Sequence, residues 1–232
     1  MQVSRRTDIT GPALVRLLSR LTNVDALEPQ QAFADRLSQW LGWTDAISLS
    51  AALNGAAAPL HGSSACASAE EGECTRVRSA LVKAIAQDNI LAPGKERGRP
   101  QARVHAAAPA EAATDFAPYR LRYQARQQAM DAGIDPLRER LRARLAAQSP
   151  AMARLAAVDA VMERVLGEQE RRLLAGVPAL LEKRFERMRQ SADQAAGWQD
   201  AFGRDMQGVL LAELDIRFQP VEGLLDALRK KS

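Results

Sequence analysis

Residues 119–190 read YRLRYQARQQAMDAGIDPLRERLRARLAAQSPAMARLAAVDAVMERVLGEQERRLLAGVPALLEKRFERMRQ. Apolar side chains recur through this stretch at steps of three, four and seven residues, the spacing of one face of an α-helix. The apolar positions form three sets: Tyr119, Tyr123, Met130, Ile134, Leu137, Leu141 and Leu145; Leu155, Val158, Met162, Val165 and Leu173; Leu181, Phe185 and Met188. Arginine occupies much of the remaining surface. The stretch therefore predicts long amphipathic helices.

Proline and glycine divide this stretch into separate helices. Ser149-Pro150 combines a capping serine with a proline at the first helical position, and Gly176-Val177-Pro178 is a second boundary. The apolar stripe continues in phase through Pro136, which favours one kinked helix there over two helices. The pattern predicts helices at about 117–147, 150–175 and 178–196. Because the turns between them are very short, successive helices are expected to be antiparallel neighbours.

Helical patterns also flank this stretch. Three short helices are predicted between Thr10 and Asn54, and a fourth over 76–89. After Gly197 the apolar stripe resumes, and Pro220 is expected to open a last short helix. The predicted fold is all-α: an N-terminal helical module (1–91), a flexible Ala/Pro-rich linker (92–114), and a C-terminal antiparallel bundle or extended hairpin of long amphipathic helices (115–232).

Composition restricts the function classes. The 232 residues are 47% hydrophobic but only 4% aromatic, a balance that suits helices packed through alanine and leucine. The net charge of +4 is too small to indicate nucleic acid by itself. No apolar segment approaches the ~20 residues of a membrane span, and no signal peptide precedes the first helix. We expect a cytoplasmic protein with reduced thiols.

Four blocks of the sequence resemble a family of uncharacterised proteobacterial helical proteins, a domain of unknown function. The blocks are RRTDITGPALVRLLSRL (5–21), DRLSQWLGWTDAISLSAALNG (35–55), YRLRYQARQQAMDAGIDPLRERLR (119–142) and VPALLEKRFERMR (177–189). Members look like cytoplasmic proteins often encoded beside MotA-like and OmpA/MotB-like envelope genes. The resemblance implies a link to a membrane-anchored machine, and therefore a position at the inner membrane through a partner. It implies no catalytic residue.

Metal, cofactor and catalytic chemistry find little support. The only His and Cys residues are His61, Cys66, Cys74 and His105, and their spacings match no zinc pattern. No phosphate loop, GxSxG or HExxH motif occurs. We therefore predict no metal, no cofactor and no enzyme activity. A concave pocket lined by converging carboxylates would be the evidence for an enzyme.

The arginines of the second half flank an apolar seam. On a helical wheel, Leu137, Leu141 and Leu145 share one direction, with Arg138 and Arg142 on one side of it. Arg140 and Arg144 lie on the other side. Flanking cations of this kind select partners in coiled coils, although they are equally typical of solvated helix edges. Phosphate binding is the third interpretation.

Two tryptophans close together form the other notable cluster. Trp40 and Trp43, with Phe33, are predicted to form the core of the N-terminal module; an exposed Trp43 would instead be a docking anchor. The leading hypothesis is a non-catalytic cytoplasmic adaptor or scaffold. It would act through helix–helix contacts with itself, as a homo-oligomer, or with a membrane-anchored envelope partner. The alternative is a nucleic-acid-associated protein. The candidate partner-binding residues are Leu137, Arg138, Leu141, Arg142, Leu145 and Trp43.

Overall fold

A computed structural model describes residues 12–22, 32–55, 66–88, 115–191 and 197–230, and within these ranges all regular structure is helical. The eight described helices are α1 (Ala13–Thr22), α2 (Phe33–Trp40), α3 (Trp43–Asn54), α4 (Cys66–Ala86), α5 (Ala117–Ala146), α6 (Pro150–Leu174), α7 (Val177–Gln190) and α8 (Trp198–Arg229). The predicted all-α class is confirmed.

The three long helices of the opening stretch begin close to the predicted positions, and α5 and α6 also end close to them; the predicted end of the third helix, residue 196, lies outside the described residues. α5 continues through Pro136 as one helix. Ser149 caps α6, because its Oγ accepts a hydrogen bond from the backbone N–H of Met152 at 3.2 Å, and Pro150 occupies the first turn. Gly197 has a φ of +85° in the turn before α8, a conformation that glycine adopts without a Cβ clash.

The prediction of a separate last helix at Pro220 is wrong. α8 runs without a break from Trp198 to Arg229, with the proline inside it. Proline already has a helical φ, and what it removes is one N–H donor. Phe218 and Val221, on either side of Pro220, are both buried. Their packing holds the helix through the position where the missing hydrogen bond would favour an end.

α4 is longer than predicted, and it packs closely on α5. It begins at Cys66 rather than near residue 76. A Cβ on Gly133 of α5 would lie 3.4 Å from Cγ1 of Val77 and 3.6 Å from Cδ1 of Leu81. Gly133 therefore does not interrupt the helix, and a Cβ at this position would make only ordinary van der Waals contacts with α4.

The packing divides the chain into two units. Unit 1 contains, among the described residues, 12–22, 85–88, 115–124, 178–191 and 197–216; unit 2 contains 32–55, 66–84, 125–177 and 217–230. This differs from the predicted division into an N-terminal module and a C-terminal bundle, since each unit takes segments from both sides of the predicted linker. The linker itself, 92–114, lies outside the described residues. Within unit 2, α4 and α5 lie side by side although they come from opposite sides of the predicted linker.

Unit 1 is built around an aromatic cluster. Phe185 lies between 5.1 and 5.6 Å, centroid to centroid, from its four aromatic neighbours, which are Phe116, Tyr119, Trp198 and Phe202. Beside the cluster, the buried Tyr123 hydroxyl donates to the buried Glu213 carboxylate at 2.6 Å. Arg187 donates to the carbonyl of Leu21 at 2.5 Å and so satisfies the C-terminal end of α1.

Candidate functional site

The three candidate leucines form part of the core of unit 2. Leu137, Leu141 and Leu145 lie on one face of α5, as the periodicity predicts, and all three are buried by the chain itself. They therefore form an internal helix–helix seam that the chain itself covers. The periodicity of the sequence identifies an apolar helix face, but only the tertiary structure shows which surface covers that face.

The two candidate arginines on one flank of this seam hold α6. Arg138 makes two hydrogen bonds to the carboxylate of Asp159, at 2.7 and 2.9 Å, and Arg142 contacts Glu163 at 2.6 Å. A cross contact of 3.2 Å joins Arg142 to Asp159. Burial lowers the pKa of Arg142, but its hydrogen bonds to Glu163 and Asp159 outweigh burial and place the pKa above the ordinary value. These charges serve an intramolecular network.

The opposite flank of the seam holds α4 in the same way. Arg140 contacts the buried carboxylate of Glu70 at 2.6 Å, and Arg144 contacts it at 3.2 Å. The predicted flanking geometry is therefore present, with a different helix of the same chain on each side. This corrects the assignment of Leu137, Arg138, Leu141, Arg142 and Leu145 to an exposed partner surface.

The sixth candidate, Trp43, has the opposite environment. It is the first residue of α3 and its side chain is 82% exposed. The preceding Gly42 ends the short connection from α2, and its N–H donates to the Asp45 carboxylate at 3.2 Å. Trp40 is half-buried. The prediction that Trp43 belongs to a core is wrong, and the condition for its being a docking anchor is met.

α3 has two faces of different character. Residues 45, 48, 49 and 52 lie within an arc of about 100° and are half-buried where α3 packs on α6. Asp45 also accepts hydrogen bonds from Arg164 of α6, the shortest at 2.9 Å. The remaining residues point away from α6 and are exposed. We call these residues the outer face of α3: Trp43, Thr44, Ala46, Ile47, Ser50, Ala51, Leu53 and Asn54.

The outer face exposes two further large apolar side chains. Ile47 is 54% exposed and Leu53 is 56% exposed. Neither was among the predicted site residues. One signal could have identified them: apolar residues are distributed around the whole of α3 rather than along one stripe, which is typical of a helix that is covered on both sides.

A cavity of about 330 Å³ lies in unit 2 where α5, α6 and α8 meet. Its lining carries five carboxylates and four guanidinium groups. Those residues are Asp131, Asp135, Glu139, Glu163, Glu170, Arg138, Arg142, Arg171 and Arg217. The two prolines inside long helices, Pro136 and Pro220, also line it. The cavity was not predicted from the sequence.

Most of the charges that line the cavity have ion-pair partners. Arg217 contacts Asp131 at 2.5 Å, and Arg142 contacts Glu163 as described above. The pKa of Asp135 lies above its ordinary value because burial raises it, as do the charges of Asp131 and Glu163, against smaller opposing effects of two arginines. A carboxyl group with a raised pKa holds a proton more readily than usual, which is one property of general acids.

The pH dependence of stability tests this environment. Because folding favours the neutral form of Asp135, its ionised form destabilises the fold above its pKa, and we expect Asp135→Asn to stabilise the protein near pH 7. The carboxyl group is only partly withdrawn from water and the residue as a whole is exposed, so solvent screens the effect and the gain is at most about 0.5 kcal/mol. The gain should vanish as the pH falls below the ordinary aspartate pKa of 3.8. Urea titrations at several pH values measure it. Glu168→Gln, outside the cavity, is the control; an equal gain there, or one independent of pH, would contradict the expectation.

In the part of the chain that the structure describes, the His and Cys residues form no metal site. His61 and His105 lie outside the described residues, and Cys74 is buried in α4, where burial and the nearby Glu70 raise the pKa of its thiol. Within the described ranges, no group of three His, Cys, Asp or Glu side chains is arranged to hold a metal ion. The same part of the chain contains no helix with the length and apolarity needed to cross a bilayer.

Comparison with known proteins agrees with the resemblance found in the sequence. No curated protein and no solved structure matches the chain. A family model described as "Protein of unknown function (DUF3348)" matches residues 1–230, almost the whole length. The chain therefore belongs to this family of uncharacterised proteins.

Proposed function

We propose that this protein is a non-catalytic cytoplasmic adaptor that docks a protein partner on the outer face of α3. The partner is a second copy of the chain or a membrane-anchored envelope protein, which would place the adaptor beside the inner membrane. One observation carries the proposal: Trp43 is 82% exposed on a helix whose opposite face is already packed on α6.

An exposed tryptophan of this kind is costly unless something covers it. Tryptophan supplies a large apolar area at a low cost in side-chain entropy, and it is enriched among the residues that dominate binding energy at protein interfaces. Ile47 lies about 40° from Trp43 around the helix, so the two side chains form one continuous apolar patch. Water exclusion from this patch would favour association.

The contacts of the arginine-rich helices give less support to the nucleic-acid alternative. A phosphate-binding surface needs cations that are free to replace counterions. Arg138, Arg142 and Arg184 make intramolecular contacts with carboxylates, as do Arg140 and Arg144. The alternative predicts binding to generic duplex DNA that weakens steeply with added salt, so a flat titration at low salt would exclude it.

The charged cavity favours a second candidate, a ligand-binding or catalytic role. Its carboxylates converge in the way that would indicate an enzyme, and the raised pKa of Asp135 suits proton transfer. Thermal-shift screening with small polar metabolites tests it. A compound that stabilises the wild type but not Asp135→Asn would favour this role over the adaptor.

The adaptor proposal predicts that Trp43→Ala separates binding from folding. Because the side chain is exposed, the free energy of unfolding should change by less than about 0.5 kcal/mol. Partner recovery by affinity purification from the native cell, with the membrane fraction retained, should fall by about tenfold or more, as for an interface hot spot. Circular dichroism monitors folding in parallel.

A matched control separates this effect from a general loss of exposed apolar surface. Leu173 of α6 is also highly exposed but does not belong to the outer face of α3. Leu173→Ala should therefore retain the partner. Equal recovery with the wild type, Trp43→Ala and Leu173→Ala would contradict the proposed function.

A further inference from the structure

We infer that the outer face of α3 pairs with the same face of a second copy, as an antiparallel helix pair around a two-fold axis. This inference rests on the proposed function, because it names the occupant of the same face. It commits to self-association, whereas the proposed function also admits a different protein.

The charge distribution of α3 makes the outer face compatible with itself. The helix reads WTDAISLSAALN, and its single ionisable side chain is that of Asp45. Asp45 lies on the side that packs on α6, where Arg164 neutralises it at 2.9 Å. The outer face therefore carries no charge that would repel an identical copy, and none that would select an oppositely charged partner.

The distribution of large and small side chains fits the antiparallel arrangement. With the two-fold axis at the midpoint of α3, residue 43 lies level with residue 54 of the other copy, and residue 47 lies level with residue 50. Trp43 then packs beside Leu53 and Asn54, while Ile47 packs on Ser50. Large side chains therefore pack against small side chains or against residues at the helix ends. The two helices run in opposite directions, an arrangement that the interaction of their dipoles favours.

The available area predicts a weak and reversible dimer. Trp43, Ile47 and Leu53 together offer on the order of 400 Å² per copy, or about 800 Å² for the pair. Stable specific interfaces bury about 1,200 Å² or more. We therefore expect self-association that depends on concentration between the low-micromolar and millimolar ranges, and that another partner of the same face would displace.

Charge exchange at Ile47 tests whether the partner is a second copy. Measured along the helix axis, the two Ile47 positions lie on either side of the proposed two-fold axis and about 5 Å apart. Ile47→Glu and Ile47→Lys should each weaken self-association at least tenfold in sedimentation-equilibrium experiments. An equimolar mixture of the two variants should recover it, since opposite charges then face each other. Circular dichroism establishes that both variants are folded, as expected for a half-exposed position.

Cross-linking tests the orientation of the pair. In a background with Cys66→Ala and Cys74→Ala, Ser50→Cys places the two thiols about 5 Å apart along the helix axis, whereas Asn54→Cys places them about 16 Å apart. A short bis-maleimide should therefore cross-link Ser50→Cys and leave Asn54→Cys monomeric. Efficient cross-linking of both variants would indicate parallel packing and overturn the inference.

The outcomes separate this inference from the proposed function. A wild type that stays monomeric up to millimolar concentration, or charge variants whose mixture does not recover association, would overturn the second copy as the occupant. In that case, a different protein that the wild type recovers in affinity purification and Trp43→Ala does not would still support the proposed function. If no such protein is recovered, the inference and the proposed function both fail.

Discussion

Leu141→Asp is expected to unfold unit 2. Leu141 is fully buried in the seam of α5, between the ion pairs that hold α4 and α6. Replacing a buried leucine even with alanine costs about 2–5 kcal/mol, and aspartate adds the cost of burying a carboxylate without a partner. The sum is comparable to the whole free energy of unfolding of an ordinary domain, about 5–15 kcal/mol. Loss of the helical signal at 222 nm, in thermal or urea titrations, measures it.

The same helix supplies the control for this substitution. Leu121 is 68% exposed on α5, and Leu121→Asp should change the free energy of unfolding by less than about 0.5 kcal/mol. A Leu141→Asp variant that unfolds at the wild-type midpoint would contradict the packing described for unit 2. If the variant is unfolded as expected, its loss of partner binding says nothing about an interface, and Trp43→Ala is the appropriate probe.

Phe185→Ala is expected to cost about 3–5 kcal/mol through unit 1. Its ring contacts four others, with centroid distances to Trp198 and Phe202 of 5.1 and 5.2 Å. Removing it leaves a void among rigid rings that cannot rotate to fill the space, and it also removes their edge-to-face contacts. Urea denaturation, followed by far-ultraviolet circular dichroism, gives the change in the free energy of unfolding.

The size of the residual side chain provides a graded control. Phe185→Leu retains most of the buried apolar volume and should cost only about 1 kcal/mol. If the alanine and leucine variants lose equal stability, the cavity argument does not hold. A loss confined to one of two unfolding transitions would show that units 1 and 2 unfold separately, in which case a single free energy does not describe the protein.

The helices themselves were readable from the sequence because their determinants are local. The period of the apolar residues in 119–190 and the Ser149-Pro150 cap depend on neighbours within a few residues. Both led to helices that the structure contains, with ends within a few residues for α5 and α6. Pro220 was interpreted less well. Proline is locally unfavourable inside a helix, and packing against other helices determines whether the helix continues.

Trp43 and Leu141 illustrate what the sequence left open about the site. Both are large apolar residues in helical patterns, and the sequence made both candidates for partner binding. In the structure Trp43 is highly exposed on the surface of unit 2, whereas Leu141 is part of the core of that unit. The cavity shows the same dependence, since Asp131 and Arg217 are 86 residues apart and become an ion pair only when α5 and α8 meet.

Helical class, the approximate extent of α5 and α6 and the basic flanks of the apolar seam follow from the order of the residues alone. These features arise from interactions over three or four residues, which any helix of this sequence would contain. The grouping into two units, the partners of each arginine and the exposure of the outer face of α3 depended on tertiary structure. An amphipathic helix requires a cover for its apolar face, and only the packing of the other helices shows whether the chain itself provides one.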